Sequence, residues 1–218
     1  MDLISVINLK CWPKIVFCYF GGVNHLAHLY LGRNSSEEMV GQFIADAVKG
    51  PLDVQFNVGI RKGIRLHRLI DEFTDSHPVV LDLRAKYRGE LGLYSSVVID
   101  MIFDFWLAHE FQKHTQGQLI DFAEQAMTTL THYEDQFPQR MHRFFQFMKQ
   151  EKWLLAYGEK EGMSEVIFQM SKRYPRAEAL AVVAKDFQRF AEMGKSHFED
   201  YWPLLNSYVE IQRSGIAE

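Results

Sequence analysis

The chain has 218 residues, 47% of them hydrophobic and 24% charged, a balance that suits one soluble globular domain with a substantial core. A formal net charge of −4 and a pI near 6.1 give no global attraction to nucleic acid, so an acidic partner has to meet a local basic patch. Cys11 and Cys18 are the only cysteines, which excludes a disulfide framework and a thiolate zinc site and fits a reducing cytoplasm.

Residues 1–22 are apolar but broken by Lys10, Pro13 and Lys14, and no run reaches the ~18 apolar residues that span a bilayer. Asp2 stands where a secretory signal carries basic residues. The stretch reads as an N-terminal appendage. A helical domain over 23–212 and a tail at 213–218 are expected to follow.

Helical signals then recur. Asn24 is a cap for a short helix through NHLAHLYLG, stopped by Gly32, and Ser35 with Glu38 forms a capping box for the next. That second helix carries the apolar stripe Met39, Val40, Phe43, Ile44, Ala47 and Val48, has Asp46 at the stripe's edge, and ends at Gly50-Pro51. Asp53 opens a long helical stretch to about Asp75, and His77-Pro78 restarts a shorter helix ending near Gly89 or Gly92. Ser95 or Ser96 caps a helix to about His114, and another pattern covers 118–133. Pro138 suits a first helical position, and Ser164 caps a segment that stops before Tyr174-Pro175. A last long helix begins near Arg176 and bends at Pro203. With no sustained period-2 alternation, no Asn-Gly or Asp-Gly turn, no repeat and no linker, the expected fold is all-α, a single compact multi-helix domain.

Two pairs of titratable residues interrupt apolar helical faces: His67 with Asp71 in GIRLHRLIDEFTD, and Asp100 with Asp104 in VVIDMIFDFWLA. Each is spaced i, i+4, which puts both side chains on one face. From Val97 to Ala108 every other residue is apolar, so Asp100 and Asp104 point inward or into a cleft. Bare buried carboxylates cost several kcal/mol per ion unless a cation or donor answers them. The structural alternatives are an internal His67–Asp71 hydrogen bond and salt bridges from the two acids to buried arginines. Asp46 and His28, with His25 one turn before it, complete a plausible ligand set for a divalent metal. One or two imidazoles with several carboxylates suit Mn²⁺, Mg²⁺ or Fe²⁺ better than structural zinc. Water held by such an ion becomes acidic enough, with a pKa near ~7, to serve in hydrolysis.

Other chemistries fail on spacing. HEFQKH is one residue too long for a zinc-protease motif, no Glu-x-x-His occurs, and G-x-S-x-G, P-loop and G-x-G-x-x-G patterns are absent. Basic residues cluster at Arg61, Lys62, Arg65 and Arg68, and again at Lys172, Arg173 and Arg176. Such clusters are commonly solvated faces, but the first shares its helix with His67 and Asp71 and so offers a docking surface for an acidic or phosphorylated substrate.

NHLAHLYLG, GQFIADAVKG, GIRLHRLIDEFTD, the Asp-x-x-x-Asp of IDMIFDFWLA, and QEKWLLAY followed by SKRYPRAEAL resemble the bacterial acyl carrier protein phosphodiesterases, from about Val23 to Tyr208. The resemblance implies hydrolysis of the phosphodiester between 4′-phosphopantetheine and a serine of holo-acyl carrier protein. It also implies a divalent cation, typically Mn²⁺, and an HD-like helical metal site. Carried onto this sequence, the ligands are His28, Asp46, His67, Asp71, Asp100 and Asp104. Asp71 or Asp104, whichever is not a ligand, would orient water or protonate the leaving group, and Arg68 would help neutralise the phosphodiester. The literal His-Asp doublet of HD enzymes is absent, since Arg68 follows His67. Family members begin Met-Asn-x-L-A-H, whereas here Val23-Asn24-His25 follows residues 1–22; a GTG start codon at Val23 would put those residues outside the native protein. Rival readings are a metal phosphohydrolase of nucleotides or other small phosphate esters, and a non-catalytic helical module that docks the carrier.

Overall fold

The computed structural model describes residues 25–52, 55–172 and 177–216. These form twelve helices with no strand among the described residues. The all-α reading holds, and the boundaries differ where side-chain chemistry overrides pattern.

Helix α1 spans His25–Leu31 and α2 spans Ser36–Ile44. Ser35 caps α2 by accepting from the Glu38 amide at 3.1 Å, as the capping box predicts. The Glu38 side chain goes instead to Arg213. A single 3-10 turn, Ala45–Ala47, then carries Asp46 out of the helix. The long helix α3 runs Val58–Ser76 and starts at Asn57, whose side chain accepts from the Ile60 amide at 2.9 Å, rather than at Asp53, which lies outside the described residues. His77 ends α3 and caps α4 (Pro78–Leu91), and Gly92, at φ +55°, turns the chain out of it.

Helix α5, Ser95–His109, is buried almost all round, as its composition demands. It stops at His109, short of the expected His114, because Glu110 leaves helical geometry before the short α6 (Phe111–Thr115). Helices α7 (Leu119–His132), α8 (Gln139–Gln150), α9 (Trp153–Ala156) and α10 (Lys160–Ser171) follow, with Pro138 as the residue before α8. Ser164 is no cap: it sits inside α10 and donates to the Ala184 carbonyl at 2.5 Å, tying α10 to α11 (Glu178–Lys185). The last long helix divides at Asp186, and α12 runs Phe187–Gly215 with Pro203 inside it. Asn24, Arg173 and Arg176 lie outside the described residues, as do residues 1–22.

Two features set the frame around the site. Gly41 on α2 and Gly63 on α3 face each other so closely that a Cβ on Gly41 would lie 2.7 Å from the Gly63 Cα, and one on Gly63 would lie 2.8 Å from the Gly41 Cα. Only glycine allows this crossing, which brings α3 alongside the turn that follows α2. Opposite, α12 packs on α3 and α5 through a Thr74–Tyr201 hydroxyl pair at 2.7 Å and a Trp106 indole bond to the Ala191 carbonyl at 2.8 Å. At its far end Arg213 holds Glu38 at 2.9 Å and the Leu31 carbonyl, so α12 clamps α1 and α2. Pro78–His109 is long and apolar enough to cross a membrane by composition, but it comprises α4, the 92–94 turn and α5, and 67% of its apolar window is buried inside the protein.

Candidate metal centre

His28 of α1 and His67 of α3 are buried and stack ring on ring at 3.9 Å between centroids. Both Nε2 atoms converge on Asp71: His28 Nε2 lies 3.2 Å from Oδ1 and His67 Nε2 lies 3.1 Å from Oδ2. One ligand atom from each of the three lies within 4.8 Å of the others, a grouping that can hold a metal ion. Asp46, from the 3-10 turn, reaches His67 Nε2 at 3.3 Å. The imidazoles are sealed, while Asp71 and Asp46 are 43% and 29% exposed, so the group opens to solvent on its carboxylate side.

The hydrogen bonds around His28 favour a ligand over a plain core histidine. Its Nδ1 lies 2.8 Å from Oε1 of the buried Gln42, a carbonyl oxygen that requires the proton on Nδ1. Its other ring nitrogen, Nε2, is buried and aimed at the Asp71 carboxylate. A supported Nδ1–H with Nε2 turned toward a carboxylate is the arrangement of a metal-ligating histidine. Gln42 was not anticipated from the sequence; its signal there is faint, an amide beside the apolar stripe of α2.

Charge couples the cluster. Burial alone would pull His67 down, but its hydrogen bonds and charge interactions with Asp46 and Asp71 outweigh that and raise the imidazole to about 9. Burial would lift Asp71 and Asp46, yet the imidazoles of His28 and His67 hold Asp71 well below the usual carboxylate range, and contacts to His67 hold Asp46 low. Without a cation, then, an imidazolium stands between two carboxylates. A divalent ion would displace that proton and take its place.

The α5 acids do something else. Asp104, fully buried, accepts from the Leu26 amide and the Ala27 amide at 2.9 Å each, fixing the first turn of α1 to α5 and thereby placing His28. Burial still raises its carboxyl to about 8 against these bonds. Asp100 lines a cavity of about 20 Å³ with Ala27, Thr74 and Tyr201, room for roughly one water. Burial and then the charges of Asp71 and Asp104 push its carboxyl well above the ordinary range. Among the described residues neither acid belongs to the His28–His67–Asp71 group. His25 lies against Phe144 at 4.9 Å, and burial lowers it to about 4.

Of the basic residues, Arg68 is exposed, three positions before Asp71, while Arg61, Lys62 and Arg65 are half-buried along α3. Arg61 also donates to the Phe56 carbonyl at 3.1 Å. Lys172 sits over the Phe168 ring at 3.8 Å.

The family described as acyl carrier protein phosphodiesterase matches residues 23–205, a span that holds every residue of this centre. The chain belongs to that family. Curated relatives of the same name include those of Pectobacterium atrosepticum, 28% identical over 88% of this chain and 100% of the relative, and Serratia proteamaculans, 29% identical over 84% and 95%. That of Escherichia coli O6:H1 is 29% identical over 84% of this chain and 95% of its own. No solved structure matches the chain.

Proposed function

We propose that the protein hydrolyses the phosphodiester joining 4′-phosphopantetheine to a serine of holo-acyl carrier protein, releasing the arm and the apo carrier, with a divalent cation held by His28, His67 and Asp71. The observation that carries the cation is the convergence of two buried Nε2 atoms, that of His28 braced through Nδ1 by Gln42, on the half-exposed carboxylate of Asp71. Two imidazoles and a carboxylate suit Mn²⁺ or Fe²⁺ better than Mg²⁺, which prefers oxygen ligands and its own waters; Mn²⁺ is our choice. When bound, the ion supplies Lewis-acid polarisation of the phosphodiester and an acidified water.

The chain's own residues supply the rest. Gln42 fixes the His28 tautomer, and Asp104 fixes the helix that carries it. With Asp71 in the ligand group and Asp104 taken up by the α1 amides, Asp46 is the carboxylate left beside the opening to hold the attacking water or take its proton. Arg68 stands on the solvent edge to meet the phosphodiester oxygens, and Arg61, Lys62 and Arg65 extend the same positive face toward an acidic carrier. A carrier substrate and the cysteine usage support a cytoplasmic location.

The direct test incubates the protein with holo-carrier and Mn²⁺ and follows carrier mass. Loss of the phosphopantetheine mass, abolished by chelation, is the expected result. An unchanged carrier alongside turnover of nucleotides would transfer the site to a small phosphate ester.

A further inference from the structure

At the turn that carries Asp46 begins an open cleft of about 580 Å³ that takes no part in the metal group. Its wall begins at Ala47, the residue after Asp46, and includes Lys49, Gln55, Phe56, Gln136, Phe137 and Arg140. Arg140 stands at the junction: one guanidinium nitrogen donates to the Asp46 backbone carbonyl, and its other N–H groups make no hydrogen bond to the described residues. Gln55 ties the loop wall together, donating to the Lys49 carbonyl at 3.1 Å and the Pro51 carbonyl at 2.6 Å, and Arg61 anchors Phe56 to α3.

We propose that this cleft is the binding channel for the 4′-phosphopantetheine arm, with Arg140 as the residue that positions its phosphate end at the metal centre; this deepens the function proposed above and rests on it. The arm's chemistry matches the groups the wall offers. Its anionic phosphate would meet Arg140 and Lys49, where the lining carries two cations and no carboxylate. Its gem-dimethyl group and chain would lie on Phe56 and Phe137, and its two amides would meet the carboxamides of Gln55 and Gln136. The volume falls within the range of about 300–1,000 Å³ typical of small-molecule sites. The other described cavities, at about 140 and 20 Å³, are smaller and do not include any residue of the 45–47 turn. Specificity for the prosthetic group would thus come from this cleft, and the arginine face of α3 would engage the carrier protein itself.

The test uses the full-length protein with Gln136→Trp, which fills the cleft from an exposed position, and Lys49→Glu, which reverses a rim charge. Each is expected to raise KM for holo-carrier about tenfold or more, with kcat within threefold. Turnover of bis(p-nitrophenyl) phosphate, a diester without the arm, should stay unchanged in Gln136→Trp, as should Mn²⁺ affinity in both variants. KM values within twofold of wild type for both variants would overturn the channel while leaving the hydrolase reading intact. Calorimetry with free 4′-phosphopantetheine decides the matter even if no carrier is cleaved. Binding to wild type that is lost in Gln136→Trp upholds the channel and removes only the proposed reaction. No binding to wild type overturns the channel.

Discussion

His67–Asp71 on α3 and Asp100–Asp104 on α5 share one spacing and one helical logic, yet they meet different surroundings. The α3 pair faces α1 and the turn after α2, where a second imidazole and a second carboxylate arrive from other elements and the acids keep contact with water. The α5 pair faces the start of α1 and the α12 packing, where backbone amides take up Asp104 and an almost closed cavity receives Asp100. Spacing decides which side chains share a face. What that face touches decides whether an acid becomes a ligand or a brace.

The strongest way to break this contrast is to remove one member of each pair. His67→Ala should lower metal-dependent release of the arm at least about 1,000-fold, the loss of several kcal/mol of cation stabilisation, while circular dichroism stays that of the folded protein. Asp104→Ala should act on stability first. It leaves two buried amides of a helix start without their acceptor and should cost roughly 3 kcal/mol in urea unfolding, with Mn²⁺ affinity of the folded fraction changed less than tenfold. If Asp104→Ala instead abolished Mn²⁺ binding with unfolding unchanged, Asp104 would be a ligand and the contrast would fail.

Much of this was legible before any coordinates. The apolar surround of Asp100 and Asp104 announces that both face inward, and the three- and four-residue steps of α3 announce the shared face of His67 and Asp71. What stayed hidden is non-local. The amides that Asp104 answers lie 77 and 78 residues away, and no periodicity encodes such a pairing. Gln42 reads as filler until the α1–α2 packing puts its carbonyl against His28. Glycines 41 and 63 look like weak helix residues until the two helices cross. The breaks at Glu110 and Asp186 have no Gly or Pro to mark them, so tertiary packing alone divides α5 from α6 and α11 from α12.

A subtler probe concerns the brace inside the ligand half. Gln42→Leu keeps side-chain bulk but removes the acceptor for His28 Nδ1, so His28 can rotate or change tautomer. Metal affinity should fall about 10- to 100-fold, the usual effect of losing such a supporting contact, with far less change in unfolding than Asp104→Ala. Equal Mn²⁺ titrations of the variant and wild type would remove Gln42 from the centre.

The smallest expected effect is electrostatic and separates the two halves by pH. His67 is raised from 6.5 to about 9 by Asp46 and Asp71, so in chelated protein the stability it contributes is complete below pH 6.5 and is lost as pH rises through about 9. With Asp71 partly open to water, a change on the order of 1–2 kcal/mol is expected. Asp104, raised to about 8, bends the same curve in the same direction, because its folded carboxyl also holds a proton that the unfolded chain has lost. The difference between wild type and His67→Gln therefore isolates the α3 contribution, and wild type against Asp104→Asn isolates the other. Saturating Mn²⁺ should flatten the first difference and leave the second, since the cation replaces the proton between Asp46 and Asp71 but does not reach the α1 amides. Should Mn²⁺ flatten both, the two acid pairs share one ion, and the division drawn between α3 and α5 is wrong.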